Sequence, residues 1–538
     1  MPGAARHDTR RLDRPLLALC LLVLAITVLY PSLRLLVDAL RGWDWAAITE
    51  GAGYAAIRNT LFISLASVLL AALVGVPMAY FLTHYSFPGR GLLAALAYLP
   101  FTLPPLVGVL SFYYIIGRDG FIPRFLEHAL GWEHVAIPGP WAILLVHTYS
   151  FYVFFYSMAG PAFETLDRSQ IEAARTLGAS RARIWLRVIL PALRPALLGA
   201  SLLTFMTSTA SFSAPYFFGQ DFPMLSVQIF NERSQYNNDA ALSLTLVLAA
   251  ISLLGVALFR GRTRHGHSAS KGVRVPIVST PGKLFSGAIA WFTIVLLLIP
   301  HLTILYLSFI RYEAWSTEII PRVFTLGNYS ALFASRDAWL PLINSVWMSA
   351  LATAATCLAG LPAAYLIARK RPGGKLVGLL VMLPWALPGT VIAMNLIVAF
   401  NERWLPLYGT VWLLPLAYFI RSIPMFTRMA GAAIEPFDGR LVEAGRCLGA
   451  TKAYCFWRIM LPLLAPAVIS ALALIFATCL GEFVSSILIY TAQNLPISVR
   501  INMAWRSAIG PAFAYSVVLM AAVTATFILS RRFISQNP

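Results

Sequence analysis

The chain has 538 residues, of which 59% are hydrophobic and 12% charged, with a mean hydropathy of +0.73. Long apolar segments recur along its whole length, beyond anything a soluble core needs, so the composition excludes a soluble globular protein and implies an integral membrane one. The formal net charge of +19 raises nucleic acid as a partner, but the basic residues cluster in short stretches between apolar runs, as orientation signals do, and nucleic-acid binding is not expected.

Apolar runs of about 20 residues mark membrane-spanning helices. They fall at 16–36, 60–81, 92–116, 141–158, 192–212 and 242–259, then at 288–309, 342–367, 376–400, 410–429, 463–487 and 513–529. The expected fold is therefore all-α with twelve spans, six in each half. The basic N-terminus runs into the first apolar stretch without a small-residue cleavage site, so it reads as a retained span and not a signal peptide.

The halves repeat each other. Asn59, Gly75, Pro77 and Tyr80 align with Asn344, Gly360, Pro362 and Tyr365, and Pro100 and Pro104 align with Pro384 and Pro388. Prolines paired in this way mark either discontinuous helices beside a pathway or simple packing kinks. An even number of spans per half makes the halves parallel repeats. The expected units are 1–260 and 284–538, joined by a basic linker over 261–283 whose Gly, Ser, His and Arg composition suits a flexible tether.

The strongest repeat is IEAARTLGASRARIWLRVILPALRP, residues 171–195, against VEAGRCLGATKAYCFWRIMLPLLAP, residues 442–466. Glu172 matches Glu443, Gly178 matches Gly449, and Pro191 and Pro195 match Pro462 and Pro466, without a gap. Each copy reads as a short helix capped by Asp167 or Asp438, stopped by a glycine at positive φ, and followed by a second helix capped by Ser180 or Thr451. An apolar stripe, Ile171, Ala174, Leu177 in one copy and Val442, Gly445, Leu448 in the other, is small at its centre and is expected to lie close against another surface.

This pattern resembles the EAA loop of permease subunits of bacterial ABC importers, here over 163–191 and again over 434–462. The resemblance implies that both loops are cytoplasmic and that Glu172, Ala173, Ala174 and Gly178, with Glu443, Ala444, Gly445 and Gly449, dock on an ATP-binding subunit present in two copies. It also implies a solute-binding protein, periplasmic or lipoprotein, on the other face. Gly445 departs from the family's Ala, which weakens that helix by about 1 kcal/mol. Fusion of two units, with Asn-Ser/Thr at the start of a span and Pro-x-Ala-Tyr at its end, is most similar to ferric-iron permeases, then to those for thiamine or 2-aminoethylphosphonate or a polyamine.

Charge placement agrees with that orientation. Arg6, Arg10, Arg11 and Arg14, the arginines of the first loop, Arg260 to Arg274, Arg369 to Lys375, and Arg531 with Arg532 all fall on one side, which puts the termini, linker and both loops in the cytoplasm of an inner-membrane protein. No G-x-x-x-x-G-K-[ST] phosphate loop occurs, so the chain is expected to be a transport subunit and not its own ATPase.

A few polar residues remain inside the spans. Glu482, about 24 Å above Pro466 along its helix, reads either as an interfacial residue or as a pathway lining, and Ser211 is its counterpart within a run of hydroxyl residues. Arg421 lies about 14 Å into its span, so a direct pair with Glu482 is not expected. Single histidines, His147 and His301, read as structural, and Cys447 with Cys455 as incidental. No metal site and no cofactor are expected. A twelve-span secondary transporter is the rival class, but it needs embedded ion-coupling groups in both halves, and the repeated loop argues against it.

Overall fold

The computed structural model describes residues 3–132, 137–259, 275–277, 279–315 and 318–535. Most of the expected linker, 261–274, lies outside the described residues. Among those described, nine helices are long and apolar enough to cross a membrane, or eleven if each of two sharply bent helix pairs is one crossing. The twelfth expected span corresponds to the Leu413–Ile434 helix, which carries Arg421 and Arg428 and is less apolar than the others.

Both bent pairs are the third span of their half. Arg90–Thr102 and Pro105–Leu130 meet at 104°, and Gly374–Ala386 and Gly389–Ala399 at 110°. The breaks sit at Leu103-Pro104-Pro105 and Leu387-Pro388. Proline removes an amide donor and drives the preceding residue into extended backbone, and Leu103 and Leu387 are both extended. Of the two readings of these prolines, the discontinuous helix is the one that holds.

Proline shapes the repeated loop as well. A five-residue π-helical turn, Trp185–Ile189 and again Phe456–Met460, precedes the Leu-Pro of each copy. Pro191 has no amide to give Arg187 and its ring crowds that carbonyl. The wider turn relieves the crowding, with the Leu190 amide reaching back to Trp185.

Within each half the second span packs along the fourth, Gly51–His84 on Gly139–Glu164 and Arg336–Ala368 on Leu413–Ile434. The halves interlock through their first spans: Thr280–Ser308 packs on Pro105–Ile116 of the other half, and Tyr30–Arg41 on Gly389–Ala399. A short parallel pairing of Tyr85–Ser86 with Val275–Pro276 lays the end of the linker along the first half. The stretch between the fifth and sixth spans contains a helix, Leu225–Ser234, matched in the second half by Ile497–Ser507.

Helices approach tightly at the matched glycines. A Cβ on Gly75 would stand 2.4 Å from the Tyr152 carbonyl oxygen, whereas one on Gly360 would meet the Phe426 ring at 2.5 Å. A carbonyl in a helix cannot rotate aside and a ring can. Gly75→Ala should therefore cost about 1–3 kcal/mol through overpacking, while Gly360→Ala, helped by about 1 kcal/mol of helix propensity, stays near neutral. Thermal unfolding in detergent checks this: the midpoint should fall in the first variant and hold within a few degrees in the second.

Candidate functional site

The two repeated loops fold alike. Helix Arg168–Thr176 starts at Asp167, whose carboxylate accepts from the Ser169 amide at 2.9 Å and from its hydroxyl at 2.7 Å. Those bonds hold the Asp167 carboxyl below its usual range. In the second copy, helix Arg440–Cys447, Asp438 accepts from the Arg440 amide at 2.9 Å. Gly178 and Gly449 have φ of +75° and +85°. The Ala179 amide bonds the Ala174 carbonyl and the Gly178 amide the Arg175 carbonyl, as Ala450 and Gly449 do to Gly445 and Arg446. Each loop thus ends in a Schellman motif, which a positive φ makes possible. Ser180 and Thr451 cap the next turn, accepting from the Arg183 and Tyr454 amides.

The expected apolar stripe divides. Ile171 and Ala174 pack inward on Phe163, Ile184, Trp185 and Leu193. A Cβ on Gly445 would stand 2.8 Å from Ile459 and 3.2 Å from the Cys455 sulfur, so the close surface is the chain's own next helix and not a partner. Leu177 and Leu448 point away and are 87% and 88% exposed. The reason is angular: six residues along a helix turn the side chain about 120° away from its starting face. Exposed with the leucines are Glu172, Ala173 and Gly178 in one loop and Glu443, Ala444 and Gly449 in the other.

A second matched set lies at the ends of the Leu190–Thr209 and Leu461–Leu480 helices. In the first half the Ser226 hydroxyl donates to the Ser211 carbonyl, and in the second Ser498 donates to the Glu482 carbonyl at 2.7 Å. Asn59 donates to the Pro223 carbonyl at 3.0 Å, and Asn344 to Gln493 and Leu495 at 3.2 and 3.1 Å. Thr60 and Ser345 accept from the Leu225 and Ile497 amides at 2.9 and 2.8 Å. These side chains satisfy backbone that leaves helical geometry inside the protein.

The side chains carried on this common frame differ. His147 places one ring nitrogen 2.9 Å from Ser67 and 3.1 Å from Ser208, and the other 2.9 Å from Ser211, so both nitrogens are spent on hydroxyls. His147 is structural, as expected. In the second half Tyr418 stands at the matching position and contacts Ser486 at 2.8 Å. Glu482 is not in a helix; it follows the end of one, and it accepts from the Ser485 and Ser486 amides at 3.0 and 3.1 Å and from the Ser486 hydroxyl at 2.9 Å. Since that hydroxyl gives its proton to the carboxylate, Tyr418 is the donor to Ser486.

The remaining partner of Glu482 is Arg421, at 2.9 Å, contrary to the expectation that the two lie at different heights. The error came from the span boundary. The helix continues to Ile434, past the expected limit at 429, which lifts Arg421 to about 20 Å from the loop-side end. Between the halves, Phe212 and Phe483, matched in the repeat and both fully buried, meet edge to face at 5.8 Å. Pro104, at the first break, packs 3.3 Å from where a Cβ on Gly481 would stand.

A family model described as the inner membrane component of binding-protein-dependent transport systems matches residues 71–264 and again 357–536. The chain belongs to this family. It is 30% identical to the probable ABC transporter permease protein y4fN of Sinorhizobium fredii, over 83% of this chain and 81% of that protein. Over 94% of this chain and 76% of the relative it is 27% identical to the ferric transport system permease protein FbpB of Actinobacillus pleuropneumoniae. The sulfate transport system permease protein CysT of Escherichia coli is 32% identical over 46% of this chain and 88% of its own length, the span of a single unit. The protein is thus a multi-pass ABC importer permease with the family domain twice in one chain.

Removing Glu482 leaves Arg421 without its carboxylate and strips two amides and a hydroxyl of their acceptor. Glu482→Ala should cost about 2–4 kcal/mol, read as a lowered unfolding midpoint in detergent. The double variant Arg421→Met, Glu482→Gln should recover part of that loss; a double variant less stable than Glu482→Ala contradicts the pairing.

Proposed function

We propose that this chain forms the complete membrane-spanning part of an importer for ferric iron, driven by two copies of a separate ATP-binding subunit and supplied by a solute-binding protein on the opposite face. The observation that carries the reading is the duplicated loop. Two identically capped knuckles, each presenting a glutamate and a bare leucine, suit a pair of equivalent grooves on an ATPase dimer. Iron follows from the ferric permease relatives, which match across nearly the whole chain. With the positive-inside rule, the termini, linker and both loops lie in the cytoplasm. ATP-driven closure of the ATPase pair would bring the knuckles together and part the halves above, where Phe212 meets Phe483. The rival reading as a secondary transporter is disfavoured because Glu482, the embedded carboxylate it would call on, is already bonded to Arg421.

Glu443 sits in the first turn of its helix, where negative charge suits the helix dipole, Glu172 lies one turn into its own, and both exposed carboxylates suit a basic groove. Charge reversal there harms docking and not folding. Glu172→Lys with Glu443→Lys should insert at wild-type levels yet fail to co-purify the ATPase subunit and lose iron-55 uptake. Normal uptake at matched expression would overturn the assignment.

Nothing lies within 4 Å of a Cβ built on Gly178 or Gly449, so substitutions there act through the backbone alone. A β-branched residue at positive φ costs about 1–2 kcal/mol and displaces the knuckle. Gly178→Val with Gly449→Val should abolish stimulation of ATP hydrolysis by the loaded binding protein. The pair Gly178→Asn, Gly449→Asn should retain most of it, because asparagine tolerates that backbone.

A further inference from the structure

The Leu413–Ile434 helix is buried on nearly every side by the Arg336–Ala368, Gly374–Met382, Gly389–Ala399 and Leu461–Leu480 helices. From Ile420 to Ala432 its accessible positions centre on one stripe, flanked by half-buried Met429 and Gly431. Arg421, Met425, Arg428 and Ala432 are open or half-open while Ser422, Ile423, Pro424, Phe426, Thr427 and Ala430 are buried. Residues spaced in that way fall within about 60° of one another on the helix. Arg421 keeps 36% of its side chain exposed while its partner Glu482 is buried behind it at 8%. The Arg428 guanidinium lies 4.8 Å from the centre of the Trp385 ring, at the break of the ninth span.

A stripe carrying two arginines does not face hydrocarbon, where each costs about 2.5–3.5 kcal/mol even on insertion scales. It faces water. The matching stripe of the first half is Ser150, Phe154, Ser157 and Pro161, which is uncharged. There Phe101, the counterpart of Trp385, packs on Phe154 at 5.7 Å with the rings tilted by 55°, and the two break aromatics are equally open, Phe101 at 38% and Trp385 at 37%. Both breaks therefore border the same kind of open space, and only the second half charges its wall. The nearest carboxylates along these stripes, Glu435 and Glu164, come at the loop-side ends of their helices.

We propose that Arg421 and Arg428 form a cationic wall of a water-filled translocation cleft, and that the cargo passing it is anionic: ferric iron crosses as a complex with anionic oxygen ligands and not as the bare ion. The proposal rests on the importer reading above and names the charge class its pathway accepts. Coulomb repulsion scales with charge, so a trivalent cation meets such a wall at three times the penalty of a monovalent one. Glu482, bonded to Arg421 at 2.9 Å, offsets that charge, so the net positive charge of the stripe is that of Arg428. An anionic complex is instead drawn past the front of the guanidinium groups.

The test reads the wall without reference to cargo. In the full transporter, chain with ATPase subunit and binding protein in nanodiscs, exposed Cys447 is changed to Ser and a thiol is introduced by Met425→Cys. Its modification rates by the anionic ethylsulfonate and cationic trimethylammonium methanethiosulfonates are compared, each divided by that reagent's rate with a free thiol in solution. The anionic reagent should be favoured by about tenfold. Adding Arg428→Gln should bring the ratio toward one, and adding Arg421→Lys should leave it in place. A thiol that reacts with neither reagent, a preference for the cation, or a ratio indifferent to Arg428→Gln overturns the proposal.

Iron-55 uptake, supplied as ferric citrate to proteoliposomes of the same transporter, separates this from the substrate reading. Anion-favoured labelling with no iron uptake leaves the wall standing and removes iron as cargo. Iron uptake with cation-favoured labelling does the reverse. Uptake that falls severalfold in Arg428→Gln and survives in Arg421→Lys supports both.

Discussion

Backbone that leaves helical geometry inside a membrane must find hydrogen bonds within the protein, and the rest of this structure depends on how that demand is met. Asn59 and Thr60, with Asn344 and Ser345, hold the segments that follow the fifth and eleventh spans, and Ser226 and Ser498 close the same segments onto Ser211 and Glu482. With the backbone satisfied, the prolines at 104 and 388 break their spans without leaving bare amides in the interior. The first break sets Pro104 against Gly481 of the other half, and tight glycine contacts join the second and fourth spans within each half.

Duplication supplied the frame twice, and the two copies then took different side chains at matched points. Where the first half has His147 between three serines, the second has Tyr418 leading through Ser486 to Glu482 and Arg421. Hydroxyls and a histidine satisfy one another without net charge. The second half does the same work with an ion pair, which demands closer geometry because each partner left alone carries a charge. Both devices sum to zero net charge, and the charge that the second half carries beyond its pair is that of Arg428 on the same helix.

Much of this was legible in the residues. Hydropathy and the gapless repeat at 171–195 and 442–466 gave the membrane class, the two halves and the capped knuckles, because caps, glycines and prolines act locally. What failed depended on position in three dimensions. Arg421 was misplaced because a height counted in residues inherits every error in the span boundary, and the helix ran to Ile434. The stripe Ile171, Ala174, Leu177 divides because a three-residue spacing drifts around a helix of 3.6 residues per turn, which leaves Leu177 exposed. Gly445 was read as a contact for a partner when it makes room for Ile459 of its own chain. The helices Leu225–Ser234 and Ile497–Ser507 escaped notice since neither is long or apolar enough to stand out.

The bare leucines at 177 and 448 carry a cost when the chain stands alone. Each buries about 1.5–3 kcal/mol of hydrophobic free energy only when something covers it. A chain on which nothing covers them displays two adhesive apolar knobs on otherwise polar loops, the kind of surface that chaperones and proteases sample. Copies left uncovered should be short-lived for that reason.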